Sequence, residues 1–452
     1  MTELAARNGW ARRRLRDAVT KLVDGSHNPP PKQDRGRPML SARNVDQGQI
    51  IFDDFRYISD ASFETEHART RVSPGDVLLT IVGTIGRSAV VPNGLGPFAL
   101  QRSVAVLAPK EDLLPKFLAY QLQSPRIQRH FEEHARGTAQ KGVYLKTLGE
   151  TPLVVPPISE QNAIVAEIEK QFSRLDEAVA NLQRVKANLK RYKAAVLKAA
   201  VEGRLVETEA SIARREGRSY ETGAQLLQRI LETRRSGWAE RGKHKELAAP
   251  SAVGRELPEG WVWASMDQLA EVGTGATPSR SNPAFWTAGD VPWVSSAVVN
   301  ADQVSEASEF VTQRALAETN LTLYPPGTLL LAMYGEGKTR GKCSELRIPA
   351  TTNQALAAIQ VADEIRGYLR HFLEFNYEEM RKVASGGVQP NLNLSLVRAV
   401  CVPLPPVVEQ FRISAEVDRH LSILRDAEVQ IYLNLQRSLA LRNSILSGLF
   451  HL

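Results

Sequence analysis

The chain has 452 residues, of which 43% are hydrophobic and 24% charged, and its formal net charge is +7. These values are ordinary for a soluble globular protein, and the length suffices for two or three domains. No apolar run approaches the length of a membrane span, and two cysteines, Cys343 and Cys401, exclude a disulfide framework or a four-cysteine zinc site. The composition predicts a cytoplasmic protein whose basic excess permits binding to a polyanion without establishing it.

The first part of the chain, residues 1–155, is predicted to form a domain rich in short strands. Val77–Val82 and Ser103–Leu107 are apolar runs bounded by turn residues, which is typical of strands. Asp112–Glu133 is predicted as a helix. Leu153–Val155 is predicted as the last strand, because two prolines follow it.

A long helix is predicted for residues 156–203, with Ser159 as its N-cap. Apolar residues recur every seven positions from Ile168 to Val196, a pattern typical of a coiled coil. At about 1.5 Å per residue, such a helix would be roughly 60 Å long. An apolar stripe of that length requires a partner helix.

Residues 204–255 are charged and poor in aromatics, so they are predicted to form a charged linker with one short amphipathic helix at Ala224–Thr233. Direct contact of this linker with DNA is left open. The linker would separate two comparable parts of the chain.

Residues 256–404 are predicted to form a second strand-rich domain, with strands at Pro292–Val294 and Leu329–Met333 and a helix at Gly367–Val383. A second long helix is predicted for residues 405–452. Polar residues also fall on its apolar stripe, where they would either fix the pairing of the two helices or lie exposed to solvent. These residues are His420, Asn434 and Ser438.

The two halves of the chain repeat each other in the same order. The segment Pro156-Pro157-Ile158-Ser159-Glu160-Gln161 returns as Pro405-Pro406-Val407-Val408-Glu409-Gln410. Three further pairs match: Gly9-Trp10 with Gly260-Trp261, Gly75–Leu79 with Gly327–Leu331, and Gly137–Gln140 with Gly386–Gln389. Two similar halves favour a pseudo-twofold molecule, which suits a target with two ends.

Two sequences that could bind nucleotides or bases are incomplete. Gly335–Thr339 resembles the end of a phosphate-binding loop, but Ala332 stands where that loop requires its first glycine. Asn28–Pro31 resembles the base-stacking loop of amino-methyltransferases, but Pro31 replaces the aromatic residue that would stack. Neither nucleotide binding nor methyl transfer by this chain is therefore expected.

A zinc-protease site is also not expected. His130 and His134 lie one helical turn apart, but Phe131 stands where the protease motif requires a glutamate. The two histidines are interpreted as surface residues of a helix. The chain is predicted to be non-catalytic and to bind no metal.

The order and duplication of these motifs resemble the specificity (S) subunit of type I restriction–modification systems. The resemblance rests on the duplicated Pro-Pro-x-x-Glu-Gln motifs, the long helices behind them and the paired glycine-rich segments, and it covers nearly the whole chain. The domain openings at Gly9-Trp10 and Leu257–Trp263 also fit, and Met333–Gly341 and Thr352–Gln354 of the second domain are similar to one recurring kind of target-recognition domain.

The resemblance implies an α+β fold, in which two β-rich target-recognition domains are separated by two long antiparallel coiled-coil helices in a pseudo-twofold repeat. Each domain would read one half of a bipartite site in double-stranded DNA. The helices would set the spacer and dock two modification (methyltransferase) subunits. Those partners would carry S-adenosylmethionine, and restriction subunits, where present, would add ATP- and Mg²⁺-dependent translocation and cleavage.

Candidate DNA-binding residues are the polar side chains in or beside glycine- and proline-containing turns, because such groups read bases and bind phosphates. In the first domain they are Arg35, Arg37, Arg43, Arg87, Gln101, Arg102 and Lys141. In the second domain they are Ser279, Arg280, Asn282, Lys338, Arg340, Lys342, Asn353, Gln354 and Gln389. Trp286 and Trp293 are interpreted as core residues in preference to base-stacking residues.

Two other interpretations stay open at this point. The chain could be a stand-alone DNA-binding coiled-coil protein without methyltransferase partners. It could also be a nuclease or methyltransferase whose catalytic groups are brought together only by folding. Purification with native partners distinguishes the first case, and assays of the isolated chain with S-adenosylmethionine or Mg²⁺ distinguish the second.

If Lys338 contacts phosphate, Lys338→Ala should weaken binding to every DNA sequence and reduce the salt dependence of binding by about one unit of slope. Binding measured at several salt concentrations checks this expectation. An unchanged slope would remove Lys338 from the candidates.

Overall fold

The computed structural model describes residues 10–137, 140–240, 246–247, 249–250, 256–335, 339–385 and 391–450. The chain divides into two units. Unit 1 comprises Met1–Arg184 with Gln430–Leu452, and unit 2 comprises Val185–Val429. None of the helices in the described ranges combines the length and apolarity that a bilayer span requires.

Unit 1 is built from short strands and helices. Its strands are β1 (Ala11–Arg14), β2 (Val19–Asp24), β3 (Arg37–Leu40), β4 (Val45–Asp46), β5 (Gln49–Ile50), β6 (Arg56–Ile58), β7 (Val77–Thr80), β8 (Ser88–Val90), β9 (Ala99–Leu100), β10 (Val104–Pro109) and β11 (Pro152–Val155). Its helices are α1 (Leu15–Ala18), α2 (Asp60–Thr70), α3 (Pro115–Leu122), α4 (Pro125–His134) and α5 (Leu145–Gly149), with a 3₁₀ turn at Ala42–Asn44. The helix α6 (Ile158–Val201) begins in this unit.

Unit 2 contains the next elements of the chain. Its helices are α7 (Glu209–Glu216), α8 (Gly223–Glu240), α9 (Met266–Leu269), α10 (Gln313–Glu318), α11 (Asp363–Phe375), α12 (Tyr377–Ser385), α13 (Leu394–Arg398) and the start of α14 (Val407–Leu449). Its strands are β12 (Val262–Ser265), β13 (Ala270–Thr274), β14 (Val291–Val294), β15 (Gln303–Val304), β16 (Glu309–Val311), β17 (Leu329–Ala332), β18 (Cys343–Leu346), β19 (Thr351–Thr352), β20 (Leu356–Val361) and β21 (Cys401–Leu404). Two 3₁₀ segments lie at Pro283–Phe285 and Ser296–Asn300.

The sheets of the two units repeat each other. The antiparallel order β2-β10-β7-β8 in unit 1 returns as β13-β20-β17-β18 in unit 2, where β15 is added at the edge. The order β6-β3-β9, antiparallel and then parallel, returns as β16-β14-β19. The pair β1–β11 returns as β12–β21. The predicted α+β class and the internal repeat are therefore confirmed.

The long helices pair inside each unit. In unit 1, Ile168 and Phe172 of α6 share a hydrophobic cluster with Leu446 and Phe450 at the end of α14. In unit 2, Val196 near the end of α6 shares a cluster with the first turns of α14. The beginning of each helix thus meets the end of the other, which confirms antiparallel pairing.

The polar residues of the stripe differ in what they do. The Tyr192 hydroxyl of α6 lies 2.9 Å from His420 Nδ1 of α14, and His420 Nε2 lies 3.0 Å from Glu416 on its own helix. The Asn434 side chain instead accepts a hydrogen bond from Arg437, also on α14. His420 therefore contributes to helix pairing, whereas the bond of Asn434 stays within its helix.

The duplicated glutamates join the long helices to the openings of the two domains. The Trp10 indole N–H donates to Glu160 Oε2 at 3.0 Å, and the Trp261 indole N–H donates to Glu409 Oε1 at the same distance. Each tryptophan precedes the first strand of its domain, and each glutamate lies in the first turn of a long helix. These indole–glutamate bonds explain why both residue types recur together in the sequence.

The duplicated glutamines hold the same helix starts. Gln161 Nε2 donates to the Pro156 carbonyl at 2.8 Å, and Gln410 Nε2 donates to the Pro405 carbonyl at 2.8 Å. Gln161 also accepts from the Leu114 N–H at 2.8 Å, just before α3. Both glutamines are buried, so their amides satisfy backbone groups that water cannot reach.

Unit 2 adds a buried carboxylate pair that unit 1 lacks among the corresponding described residues. Glu409 Oε2 accepts a hydrogen bond of 2.9 Å from the backbone N–H of Glu209, the first residue of α7. The fully buried Glu209 carboxylate forms ion pairs with Arg218 at 2.6 Å and Arg412 at 2.7 Å. Burial raises the pKa of Glu409, while its two hydrogen bonds oppose that rise.

The short helix predicted at Ala224–Thr233 is confirmed within α8, but the described residues around it do not form the solvated linker predicted for residues 204–255. This segment contains α7 and α8, and Leu226 and Ile230 of α8 are buried in the same cluster as Val196. Arg214 forms an ion pair with Glu259, so part of the basic charge is neutralised within the unit. The sequence suggested a solvated segment because the charged residues outnumber the few apolar ones that anchor these helices.

Several predicted helices are interrupted or shifted. The helix predicted at Asp112–Glu133 divides into α3 and α4, because Pro125 cannot continue a helix and disfavours helical backbone at Ser124. The helix α6 begins at Ile158, so Ser159 lies inside its first turn and the predicted N-cap is wrong.

A similar difference appears in the second domain. The helix predicted at Gly367–Val383 begins earlier, at Asp363, and is interrupted at Asn376 between α11 and α12. The strands predicted around Pro292 and Leu329 are confirmed as β14 and β17. Helix ends are harder to predict from the sequence than strand interiors, because they depend on local capping.

Replacing Glu409 by Ala should destabilise unit 2 more than Glu160→Ala destabilises unit 1. In Glu409→Ala the Trp261 and Glu209 N–H groups stay buried without acceptors, at about 1–3 kcal/mol each. We expect a loss of about 2–4 kcal/mol, against about 1 kcal/mol for the half-buried Trp10–Glu160 bond. Urea unfolding, with hydrogen exchange of α7 as a local probe, measures these losses of stability. Equal losses in the two variants would contradict a larger role for Glu409 than for Glu160.

Candidate nucleic-acid interface

The three-stranded sheet of each unit presents a candidate polar residue at the same end. Gln101 follows β9, and its N–H donates to the Leu40 carbonyl at 2.9 Å. Asn353 follows β19, and its N–H donates to the Val294 carbonyl at 3.0 Å. The fold therefore places Gln101 and Asn353 at matched positions of the repeat.

A glycine permits the backbone to approach each of these sheet ends. A Cβ built on Gly25 would lie less than 3.0 Å from the Leu100 carbonyl, and one on Gly275 less than 3.0 Å from the Thr352 carbonyl. Real side chains do not make such contacts with backbone atoms. The segments that carry these glycines thus pass directly over the residues that precede Gln101 and Asn353.

In unit 1 this sheet end forms a cleft of about 220 Å³. Its lining residues are Lys32, Met39, Ser41, Arg43, Asp54, Phe55, Arg56 and Gln101. Arg43 forms an ion pair with Asp54, and Arg56 donates to the Pro30 carbonyl at 2.6 Å. The cleft brings together two predicted residues, Arg43 and Gln101, with two basic residues that the sequence analysis missed.

The other candidates of unit 1 fall into two groups. Arg37 donates to Asp60 at 2.9 Å, and Arg87 lies 3.2 Å from Asp46. The second group makes no side-chain hydrogen bond or ion pair with the described parts of the chain and is exposed to solvent. This group consists of Arg35, Arg102 and Lys141.

In unit 2, Arg280 is exposed to solvent but is held by residues of its own domain. Its guanidinium donates to both carboxylate oxygens of Glu309, at 2.6 and 3.2 Å, and lies 3.7 Å from the centre of the Trp286 ring. Trp293 is 3% exposed, which places it in the core as predicted. Trp286 is half-buried between Trp293 and Arg280, so it lies at the edge of this core.

Four polar candidates of unit 2 bond within their own or neighbouring turns. Asn282 Oδ1 accepts from the Ala284 N–H at 3.1 Å, and Asn353 Oδ1 accepts from the Ala355 N–H at 3.2 Å. The remaining bonds join Ser279 to Ser281 at 2.9 Å, and Thr277 to Gln354 at 2.7 Å. These side chains shape the loops that carry them.

The basic residue before the second hairpin strand is held similarly in both units. Lys342 precedes β18 and donates to Asn300 at 2.9 Å, as Arg87 precedes β8 and pairs with Asp46. Arg340 is half-buried, and its carbonyl accepts from Arg381 at 3.3 Å. Lys338 and Gln389 lie outside the described residues.

The sequence analysis missed Lys32, Arg56 and Glu309. Strand register brings the last two into place, since Arg56 pairs with Met39 across β6–β3 and Glu309 pairs with Trp293 across β16–β14. The residue that lies opposite each strand could not be predicted from the sequence, because it depends on the strand register.

The two histidines of α4 do not form a metal site with a third ligand. Their ring centres lie 4.3 Å apart, and His134 Nδ1 lies 2.8 Å from the His130 carbonyl. Burial and the neighbouring His134 lower the pKa of His130. Across the described ranges, no group of three or more His, Cys, Asp or Glu residues is arranged to hold a metal ion.

Comparison with known proteins identifies one family. The model of the type I restriction modification DNA specificity domain matches residues 46–191 and 258–434, more than half of the chain. The EcoBI specificity subunit of Escherichia coli is 27% identical over 171 residues, which are 38% of this chain and 36% of that protein. The matching stretch therefore spans about a third of the length of this curated relative.

Two solved structures have a similar fold over nearly their whole length. The HsdS subunit from Thermoanaerobacter tengcongensis has a TM-score of 0.53 at 19% identity, covering 100% of this chain and 99% of that one. A chain from a study of assembly and conformational transition of the type I R-M system has a TM-score of 0.66 at 19% identity, covering 98% of each chain. At these identities the likeness concerns the fold.

Substituting the glycines at the sheet ends should disrupt the candidate interface. We expect Gly25→Ala and Gly275→Ala each to cost about 2–4 kcal/mol, because the new methyl group would press on a backbone carbonyl. Gly96→Ala is the matched control: it is exposed, a Cβ there meets nothing within 4 Å, and its stability should stay within about 0.5 kcal/mol of wild type. Thermal unfolding measures all three, and equal stability would contradict the close approach.

Proposed function

We propose that this chain, which belongs to the type I restriction modification DNA specificity family, selects the DNA target of a type I restriction–modification complex. Each β-rich domain would read one half of a bipartite site in double-stranded DNA, and the chain itself would catalyse no step. The observation that carries the proposal is the repeated sheet end, where Gln101 and Asn353 occupy matched positions. A duplicated domain with a matched sheet end suits a target with two halves.

The charge of the first domain supports contact with a DNA backbone. Arg35, Arg102 and Lys141 are exposed and have no side-chain partner in the described ranges, so they are available to phosphates. The ion-paired candidates, such as Arg37, would first have to leave a carboxylate. We therefore expect the unpaired group to supply most of the salt-dependent binding of this domain.

Exposed apolar side chains on the long helices support docking of other proteins. The exposed fraction reaches 57% for Phe411, 61% for Leu439 and 62% for Tyr432. Further exposed members are Val185 and Tyr192 on α6, and Val408, Ile423, Val429, Leu433 and Leu441 on α14. Apolar surface on this scale favours a protein partner.

The proposed partners are two modification (methyltransferase) subunits. S-adenosylmethionine would be held by those subunits, and ATP with Mg²⁺ by restriction subunits where a complete complex forms. The paired helices would also set the spacer between the two half-sites, because a helix has a fixed rise per residue.

Reconstitution with the modification subunits tests the proposal. The complex should methylate genomic DNA from a methylation-free strain at a bipartite motif, and the isolated chain should transfer no methyl groups. Sequencing of methylated bases gives the motif, and size-exclusion chromatography gives the subunit ratio. Specific DNA binding without any bound modification subunit would instead support a stand-alone DNA-binding protein.

The same assay tests the spacer with a matched pair of insertions. Seven residues inserted after both Asn181 and Asn434 keep the apolar stripe in phase and lengthen each helix by about 10 Å. The motif should then gain about three base pairs in its spacer, at about 3.4 Å per base pair. The same seven residues between Glu246 and Leu247 should leave the spacer unchanged. An active helix variant with the original spacer would overturn the role of the helices in spacing.

A further inference from the structure

We infer that the cleft of unit 1 bounded by Lys32, Arg56 and Gln101 receives a base edge and its neighbouring phosphate, whereas Arg280 fills the matching position in unit 2 as a positioning residue. The inference rests on the proposed function and deepens it. It assigns different means of recognition to two domains that share one fold.

Gln101 is held rigidly while its side chain stays available. Its N–H donates to the Leu40 carbonyl at 2.9 Å, and its carbonyl accepts from the Val104 N–H at 3.0 Å. The Leu100 carbonyl accepts from the Ser26 N–H at 2.7 Å, and the Arg102 N–H donates to the Ser26 carbonyl at 2.8 Å. The Gln101 amide itself bonds to none of the described residues. An amide on a fixed backbone, with its donor and acceptor free, matches a base edge such as that of adenine.

The walls of the cleft favour an anion beside that base. Lys32, Arg43 and Arg56 line it with one carboxylate, Asp54, so positive charge is in excess. Arg43 is paired with Asp54, and Arg56 donates to a backbone carbonyl, whereas Lys32 is exposed and has no partner in the described ranges. Lys32 is therefore the group best placed to neutralise a phosphate.

The corresponding position in unit 2 has different residues. In unit 1 the β6–β3 pair places Arg56 opposite Met39. The matching β16–β14 pair of unit 2 places Glu309 opposite Trp293. Glu309 binds Arg280 through both oxygens, as described above. The exchange of a basic for an acidic residue thus replaces an arginine that lines the cleft with a glutamate that binds an arginine of the same domain.

Arg280 also stabilises the loop that surrounds it. Its guanidinium lies over the Trp286 ring, and the Trp286 indole N–H donates to the Ser279 carbonyl at 3.1 Å. The Asn353 side chain is held toward its own turn, because its Oδ1 accepts from the Ala355 N–H. Recognition by the second domain would therefore depend more on the loop that Arg280 holds than on the side chain at this sheet end.

The complex with modification subunits and genomic DNA provides the test. Gln101→Ala should reduce discrimination roughly tenfold to hundredfold at one or two positions in one half of the motif, without change in the other half. Gln49→Ala is the matched control: Gln49 is an exposed glutamine of the same unit that does not line the cleft, so its loss should change discrimination by less than about threefold. Lys32→Ala should weaken binding to all sequences and lower the salt slope by about one.

Arg280→Ala separates positioning from direct contact. A positioning role predicts relaxed recognition of the second half of the motif with an unchanged salt slope. A slope lowered by about one would show a phosphate contact and overturn the assignment of Arg280.

The failure of this inference can be distinguished from that of the proposed function. A wild-type complex without a bipartite motif would refute the proposed function. A bipartite motif that is identical in wild type and Gln101→Ala would refute only the role of the cleft in reading a base.

If Gln101→Ala fails to assemble, Gln101→Glu keeps the side-chain length and should shift the preference toward bases that present a donor, such as cytosine. An assembled Gln101→Glu complex with the wild-type motif would equally refute the cleft.

Discussion

Each unit depends on a hydrogen bond between a tryptophan indole and a glutamate carboxylate. The bonded residues are 150 positions apart in Trp10–Glu160 and 148 positions apart in Trp261–Glu409. Each bond therefore closes a whole domain, joining its opening segment to the first turn of a long helix. The half-buried bond of unit 1 contributes about 1 kcal/mol and the buried, charge-assisted bond of unit 2 about 1.5–3 kcal/mol, which helps to fix the start of each helix relative to its domain. In unit 2 the same carboxylate also holds α7, so one residue organises three segments.

The repeat preserves backbone geometry more strictly than side-chain chemistry. Gly25 and Gly275 occupy equivalent close approaches, and the sheets pair in the same order. At the end of those sheets, however, Arg56 and Glu309 have opposite charges at matched positions. A scaffold that tolerates such exchange can present different chemical groups without altering its fold. The two domains can therefore share one topology and still have different candidate interfaces.

The sequence predicted those features that depend on neighbouring residues. Apolar runs identified β7 and β17, and heptad spacing identified α6, because burial of a strand or helix face leaves a local pattern. The cleft could not be predicted, since Arg56 reaches Met39 only through strand register. The packing of α7 was missed because an acidic residue such as Glu209 is rarely buried, and its partner Arg412 lies far along the chain. Features that depend on pairing between distant residues could therefore not be predicted, either in the fold or in the site.

The sharing of α14 between the units affects the order of folding. The end of α14 completes the core of unit 1, although Arg442 follows its partner Asp176 by 266 positions. At about 5–20 residues per second, the ribosome would deliver that segment tens of seconds after α6. Until then Ile168 and Phe172 lack their partners from α14, and transiently exposed apolar surface of this kind is prone to aggregation. The unit that the ribosome begins first is thus completed last.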